Sequence, residues 1–131
     1  MQFQLATDYA IRILSYLHHN DKELATAANM AEELGITYLY FMKIIGKLKA
    51  ADIICSVQGC NGGYKLAKSA EDISLFDVVT VMEGGISINR CLQEDGFCSR
   101  GAAPHCPVHK YFSDLQSDII KQLGQKHISE F

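Results

Sequence analysis

Several features are scarce in this chain, and each absence narrows what it can be. Only two prolines occur in 131 residues and no low-complexity tract is present, so long disordered stretches are not expected. No apolar run reaches the roughly 18 residues that a membrane-spanning helix requires. The opening Met1-Gln2-Phe3-Gln4 has neither the basic flank nor the long apolar stretch of a secretory signal, so a cytoplasmic location and no membrane partner are expected. No internal repeat is visible. A net charge of −3 excludes a uniformly basic nucleic-acid binder. Cysteine, in contrast, is plentiful at five residues, an odd number. In a reducing compartment such thiols more often bind metal or do redox chemistry than form disulfides.

What is present suits one compact domain. The length is that of a single domain, and 48% hydrophobic residues supply a core without covalent staples. Tyr9, Ala10, Ile13, Leu14 and Leu17 recur at helical spacing behind Thr7-Asp8, a hydroxyl cap followed by a first-turn carboxylate. Thr26 opens a second, alanine-rich helix that ends near Leu34, where Gly35 stops it. Thr37 caps a third helix running to about Ala51, with Phe41, Ile44, Ile45 and Leu48 as one apolar stripe. Residues 53–57 and 64–67 alternate around the turn cluster Gln58-Gly59-Cys60-Asn61-Gly62-Gly63, which predicts a β-hairpin. Ser74 caps a helix over Leu75–Glu83 that ends at Gly84-Gly85. A last helix is expected from Val108 to about Lys126, with Tyr111, Phe112, Leu115, Ile119 and Leu123 on its apolar face.

Helix, glycine turn, helix, hairpin is the order of a winged helix-turn-helix. Ala31, four residues before Gly35, lets two helices cross closely. The charge is also unevenly spread. Residues 37–68 carry Lys43, Lys47, Lys49, Lys65 and Lys68 against Asp52, a local balance of +4 that leaves −7 for the remainder. A basic segment on an acidic body is a plausible footprint for double-stranded DNA. A recognition helix presents its N-terminal residues to base edges in the major groove, which selects Thr37, Tyr38 and Lys43. Lys47 and Lys49 suit phosphates, which position a protein without carrying sequence information. The polar hairpin tip, with Gln58 and Asn61, suits a minor-groove or backbone contact. The plainer reading is a small helical domain whose lysines form a solvated face.

Residues 86–107 show little periodicity and hold three cysteines, two glycines and both prolines. A structureless stretch of about 20 residues inside a compact domain is usually functional or disordered. Cys91, Cys98 and Cys106 are separated by six and seven residues, and His109 follows three positions after the last. Thiolates select zinc, copper(I) or iron-sulfur clusters. Zinc fingers space their paired ligands more closely, whereas iron-sulfur sites normally use four ligands. The fourth candidates are His109 in the same chain, or Asp8 from a partner subunit. Asp8 by itself reads more readily as a helix-dipole partner than as a ligand, His109 reads also as a solvated residue at a helix start, and His105 as a weaker ligand. Cys55 is expected to be a small buried core residue and Cys60 an exposed loop thiol. A structural-zinc interaction module and a cluster-free thiol-based redox regulator are the alternatives. An enzyme is not expected, because no cysteine has a base and an orienting partner that the sequence identifies.

The residues also carry a resemblance. Thr7-Asp8-Tyr9-Ala10-Ile11-Arg12, Ala31 with Gly35-Ile36, Tyr40-Phe41, Gly59 with Gly62-Gly63-Tyr64, Ile73-Ser74-Leu75 with Glu83-Gly84, and the three late cysteines resemble bacterial winged-helix iron-sulfur transcriptional regulators of the IscR/NsrR type over nearly the whole chain. The resemblance implies a mainly α fold with a small β-hairpin wing and a long C-terminal dimerisation helix. It divides the chain into a DNA-binding region, 1–85, a cysteine-bearing sensor loop, 86–107, and a dimerisation helix, 108–131. It implies a homodimer on an operator with two half-sites. It also implies a cluster on Cys91, Cys98 and Cys106 that senses nitric oxide, redox state or iron-sulfur status. IscR-like members would complete the site with His109 and a 2Fe-2S cluster, NsrR-like members with the partner's Asp8 and a 4Fe-4S cluster; the Thr7-Asp8-Tyr9 run favours the second. Two departures bear on DNA readout. Gln58 stands where many members have an arginine, and Met42 where many have an acidic residue.

Overall fold

The computed structural model describes residues 1–22, 24–60 and 62–131. Its elements follow the expected order. Helices α1 (Leu5–His19), α2 (Ala27–Glu33) and α3 (Tyr38–Ala50) precede strands β1 (Ile54–Val57) and β2 (Gly63–Leu66), then α4 (Leu75–Glu83) and α5 (Pro107–Gln125). The strands pair antiparallel in the register Ile54–Leu66, Cys55–Lys65, Ser56–Tyr64 and Val57–Gly63.

Ala10, Ile13, Leu14 and Leu17 of α1, Met30 and Ala31 of α2, and Phe41, Ile44, Ile45 and Leu48 of α3 form one buried cluster, joined by Ile53, Ile54, Ile73, Val78 and Met82. Burial of a side chain such as Phe41 contributes roughly 1.5–3 kcal/mol. The turn between α2 and α3 depends on Gly35, at φ 68°, where a β-carbon would be strained. That turn lets the Ile36 N–H reach the Ala31 carbonyl at 2.8 Å and drives Ile36 into the core. Cys55 is half-buried rather than buried, because it pairs with the exposed Lys65 on the more open face of the hairpin.

The caps divide into expected and unexpected cases. Thr26 accepts the Asn29 N–H at 3.2 Å, and Ser74 forms a complete capping box with Asp77. Thr37 occupies the N-cap position of α3 but makes no side-chain capping bond. The α1 start is a correction. Thr7 lies inside the helix, whose N-cap is Gln4 without a side-chain bond. The Glu83 carboxylate of α4 accepts the Gln4 N–H at 2.7 Å and also the hydroxyl of the buried Thr7. A carboxylate from another helix satisfies the α1 terminus, so the helix begins earlier than a local cap would set it.

The last residues return to the body. The Leu75 N–H donates to the Lys126 carbonyl at 2.7 Å and the Ile128 N–H to the Ile73 carbonyl at 2.9 Å, with Ser74 and His127 bridging antiparallel. A short 3-10 turn, Ile128–Glu130, places Ile128 at 0% exposure. Helix α5 itself contributes no buried residue. Among the described residues, no helix is long and apolar enough to cross a membrane.

Candidate functional site

Helix α3 presents two faces. Its stripe of Phe41, Ile44, Ile45 and Leu48 is buried. By helical periodicity, Leu39, Lys43, Gly46 and Ala50 lie opposite, all exposed. Tyr38 is 52% and Leu39 82% exposed. Lys47 and Lys49 flank the outer stripe, one on either side. The helix carries no acidic residue. Among the described residues, none of Lys43, Lys47, Lys49, Lys65 and Lys68 forms an ion pair within the chain, which leaves this cationic surface uncompensated. Thr37, whose hydroxyl makes no cap, is exposed at the head of the helix.

The wing is fastened to this face. The Tyr64 hydroxyl reaches the Met42 sulfur at 3.9 Å, so Met42 serves the wing contact. Gly63 packs against the backbone of Ala25, leaving no room for a β-carbon beside the Ala25 carbonyl oxygen. A β-carbon on Gly62 would lie 2.5 Å from the Val57 carbonyl oxygen. Gln58 and Cys60 are exposed at the tip; Asn61 lies outside the described residues.

The cysteine segment leaves α4 through Gly84 and Gly85, at φ 81° and 121°. It is irregular apart from short 3-10 turns at Arg90–Leu92 and Ala103–His105. The Ile88 N–H donates to Gln116 of α5 at 3.0 Å. The Arg90 guanidinium makes a two-pronged pair with Asp95, at 2.5 and 2.6 Å, and lies over the Phe97 ring. That guanidinium, helped by the Phe97 N–H, lowers the Asp95 pKa to about 2.

The three cysteines occupy three local settings, each half-buried and without a disulfide. Cys91 meets the His109 Nδ1 atom of α5 at 3.2 Å, and Asn89 donates toward the same sulfur at 3.5 Å. Cys98 lies in a curl of backbone. The N–H groups of Ala102 and Arg100, then of Gly101 and Ala103, hold its thiol below the ordinary range, against a smaller opposing effect of burial. Cys106 takes the N-cap position of α5. His105 is exposed. Asp8 pairs with Arg12 at 2.7 Å on the exposed side of α1, and Arg12 in turn lies over Tyr9.

The donor chemistry fits a thiolate-seeking group: three thiols in one segment, an imidazole against one of them, and amides that favour another as thiolate. The arrangement gathers only part of that set. Among the described residues, no three His, Cys, Asp or Glu side chains come together so as to hold one metal ion. Within the chain, His109 meets a cysteine and Asp8 meets Arg12. Sequence reasoning missed the Asn89 donor, the amide curl over 100–103 and the Glu83 clamp. Gly101, at φ 61°, is the one local signal of the curl.

Comparisons with known proteins agree with this architecture. The family model Rrf2, described as iron-dependent transcriptional regulator, matches residues 3–131. The protein aau3 of Rhizobium meliloti (strain 1021) is 31% identical over 130 residues, covering 94% of this chain and 84% of that protein. The HTH-type transcriptional regulator IscR of Vibrio vulnificus (strain YJ016) is 30% identical over 123 residues, covering 93% of this chain and 71% of that protein. Among solved structures, T. potens IscR superposes with a TM-score of 0.75 at 21% identity, covering 98% of this chain and 84% of that one. CymR (YrzC), the global cysteine regulator of B. subtilis, gives a TM-score of 0.75 at 18% identity, covering 98% and 94%. At these identities the structures establish the fold. The family model and the IscR and CymR relatives are described as regulators, not enzymes. The chain belongs to the Rrf2 family of winged-helix transcriptional regulators.

Proposed function

We propose that this regulator is a cytoplasmic homodimer that binds an operator with two half-sites, and that an iron-sulfur cluster on segment 86–107 sets its DNA affinity. The observation that carries the cofactor reading is the 3.2 Å contact between Cys91 and His109, made across the junction between the cysteine segment and α5. Cys91, Cys98 and Cys106 would be the thiolate ligands, with His109 as the fourth. When bound, such a cluster supplies a centre that reacts with nitric oxide or oxidants and depends on iron supply.

The chain's own residues provide the coupling. Asn89 and His109 orient Cys91, and the 100–103 amides stabilise the Cys98 thiolate. The segment lies between the Glu83 clamp on α1 and the Gln116 contact on α5. A change in its order therefore acts on the winged helix and on α5 together. Its effect on DNA affinity is limited by the difference in stability between the two segment states. For the dimer, the support is α5: it buries no residue, and Val108, Tyr111 and Leu115 are 55%, 65% and 37% exposed. Pairing along α5 would set two recognition helices at half-sites about 34 Å apart. Thr37, Tyr38 and Lys43 then face base edges, while Lys47, Lys49 and the wing residue Gln58 face the backbone or minor groove; Asn61, outside the described residues, is the further candidate at the wing tip.

The test is anaerobic purification and reconstitution, with absorption spectra and counts of iron, sulfide and zinc. Visible absorption that disappears in Cys98→Ala is expected, and an unchanged spectrum refutes the ligand assignment. Loss in His109→Ala with retention in Asp8→Ala supports His109. The reverse moves the fourth ligand to the partner's Asp8, whose exposed ion pair with Arg12 holds it by only about 0–1 kcal/mol. The iron and sulfide counts separate a 4Fe-4S from a 2Fe-2S cluster. Colourless, zinc-loaded protein favours the structural-zinc module instead. One observation favours a cluster-free thiol regulator as the second reading: the three cysteines lie in separate settings, with Cys98 favoured as thiolate. Regulation that survives complete iron removal supports it.

A further inference from the structure

Two residues on the outer stripe of α3 stand apart from the packing of the described residues. Leu39 is 82% exposed, although it stands in the first turn of a helix with a fully formed apolar face elsewhere. Gly46 is seven residues further on, on the same stripe. A glycine inside a helix is the less favourable choice against alanine. A β-carbon at Gly46 would meet nothing within 4 Å among the described residues, so internal packing does not require the glycine. Its backbone φ is also not in the left-handed region. Lys43 lies between them and Lys47 beside them, neither in an ion pair among the described residues. Met42, the nearest alternative reader, faces the wing through Tyr64.

From this arrangement we infer that Leu39 is a specificity residue that reads the 5-methyl group of a thymine in the major groove, and that Gly46 is bare so that the α3 backbone can approach the DNA closely. The inference rests on α3 being the recognition helix. The chemistry follows from the groove. Thymine is the base that presents a methyl group there, and apolar side chains are its natural partners. An exposed leucine flanked by cations meets that requirement: Lys47 and Lys49 attract the phosphates, Lys43 stands beside the base edges, and the leucine removes one methyl from water. A missing β-carbon matters where a backbone must pass close to a neighbour, and Gly46 is exposed with open space where its β-carbon would stand among the described residues.

The experiment selects binding sites for the full-length protein, in reconstituted and metal-free forms, from duplexes randomised over roughly 30 base pairs, long enough for two half-sites. Each thymine of the selected duplex is then replaced singly by deoxyuridine, which removes only the methyl. For the unmodified protein, one thymine per half-site should matter, with affinity falling about fourfold per site, the worth of one buried methyl. Leu39→Ala should bind thymine and deoxyuridine duplexes equally. Gly46→Ala should melt a few degrees higher, about 2–4 °C, yet bind the selected duplex at least tenfold more weakly. That opposition of signs is not produced by damage to the fold. Selection of a defined sequence that is indifferent to every thymine-to-deoxyuridine change overturns the Leu39 assignment while leaving α3 as the recognition helix. Unchanged DNA affinity in Gly46→Ala overturns the close approach. No enriched sequence in either form removes the DNA-binding reading itself, and this inference with it.

Discussion

Consider the replacement of Ile128 by alanine. The side chain is at 0% exposure and belongs to the main core cluster, although it lies three residues from the end of the described chain. The change removes three carbon atoms, about 2.4 kcal/mol at roughly 0.8 kcal/mol each. The cavity left behind adds to that, because surrounding atoms relax only partly, which brings the expected loss to about 3–4 kcal/mol. For a domain of this size each kilocalorie is worth about 3–4 °C in melting temperature, so Tm should fall by roughly 10 °C. Urea denaturation is the assay. The midpoint should shift with the slope unchanged, since the surface exposed on unfolding is nearly the same. Phe131→Ala is the control. Phe131 is 43% exposed, and its loss should cost under about 1 kcal/mol. A loss below about 1 kcal/mol for Ile128→Ala would refute the reasoning. It would mean that residues 126–130 rest on the surface and that α5 is not fastened to α4 by them.

Two further outcomes follow from local geometry. Gly63→Ala should destabilise the fold by roughly 1–3 kcal/mol through overpacking, because the new methyl collides with the Ala25 carbonyl; urea denaturation and the shifts of wing amides report it, and an unchanged midpoint with unmoved amides rejects it. Asp95 should titrate near 2 in a carboxyl NMR experiment, and Arg90→Gln should return it toward the ordinary carboxylate value near 3.9. Its folded pKa is depressed, so whatever the pair contributes is present above that ordinary value and is lost as pH falls toward 2.

Much of the fold is legible because it is decided by near neighbours. The 3.6-residue recurrence of Phe41, Ile44, Ile45 and Leu48 shows the buried face of α3. Ser74 with Asp77 marks the start of α4, and Gly35 marks a turn whose φ other residues avoid. The winged-helix order and the three cysteines are visible for the same reason. The candidate site is only half legible. Ligand types can be read from residue types, but whether donors meet depends on the path of an irregular segment, and there the chain brings His109 to Cys91 while leaving Asp8 with Arg12.

The amino-acid sequence by itself therefore determined the elements, their order, the basic face and the kind of atoms a cofactor would meet. Those properties follow from periodicity, caps and side-chain chemistry within a few residues. The tertiary structure alone decided that Glu83 and not Thr7 satisfies the start of α1, that Met42 faces the wing, that Ile128 closes the core, and that α5 keeps an uncovered apolar face. Each of these depends on groups far apart in the chain, 76 residues apart for Thr7 and Glu83, and no local pattern records which distant atom will stand within hydrogen-bond or van der Waals reach.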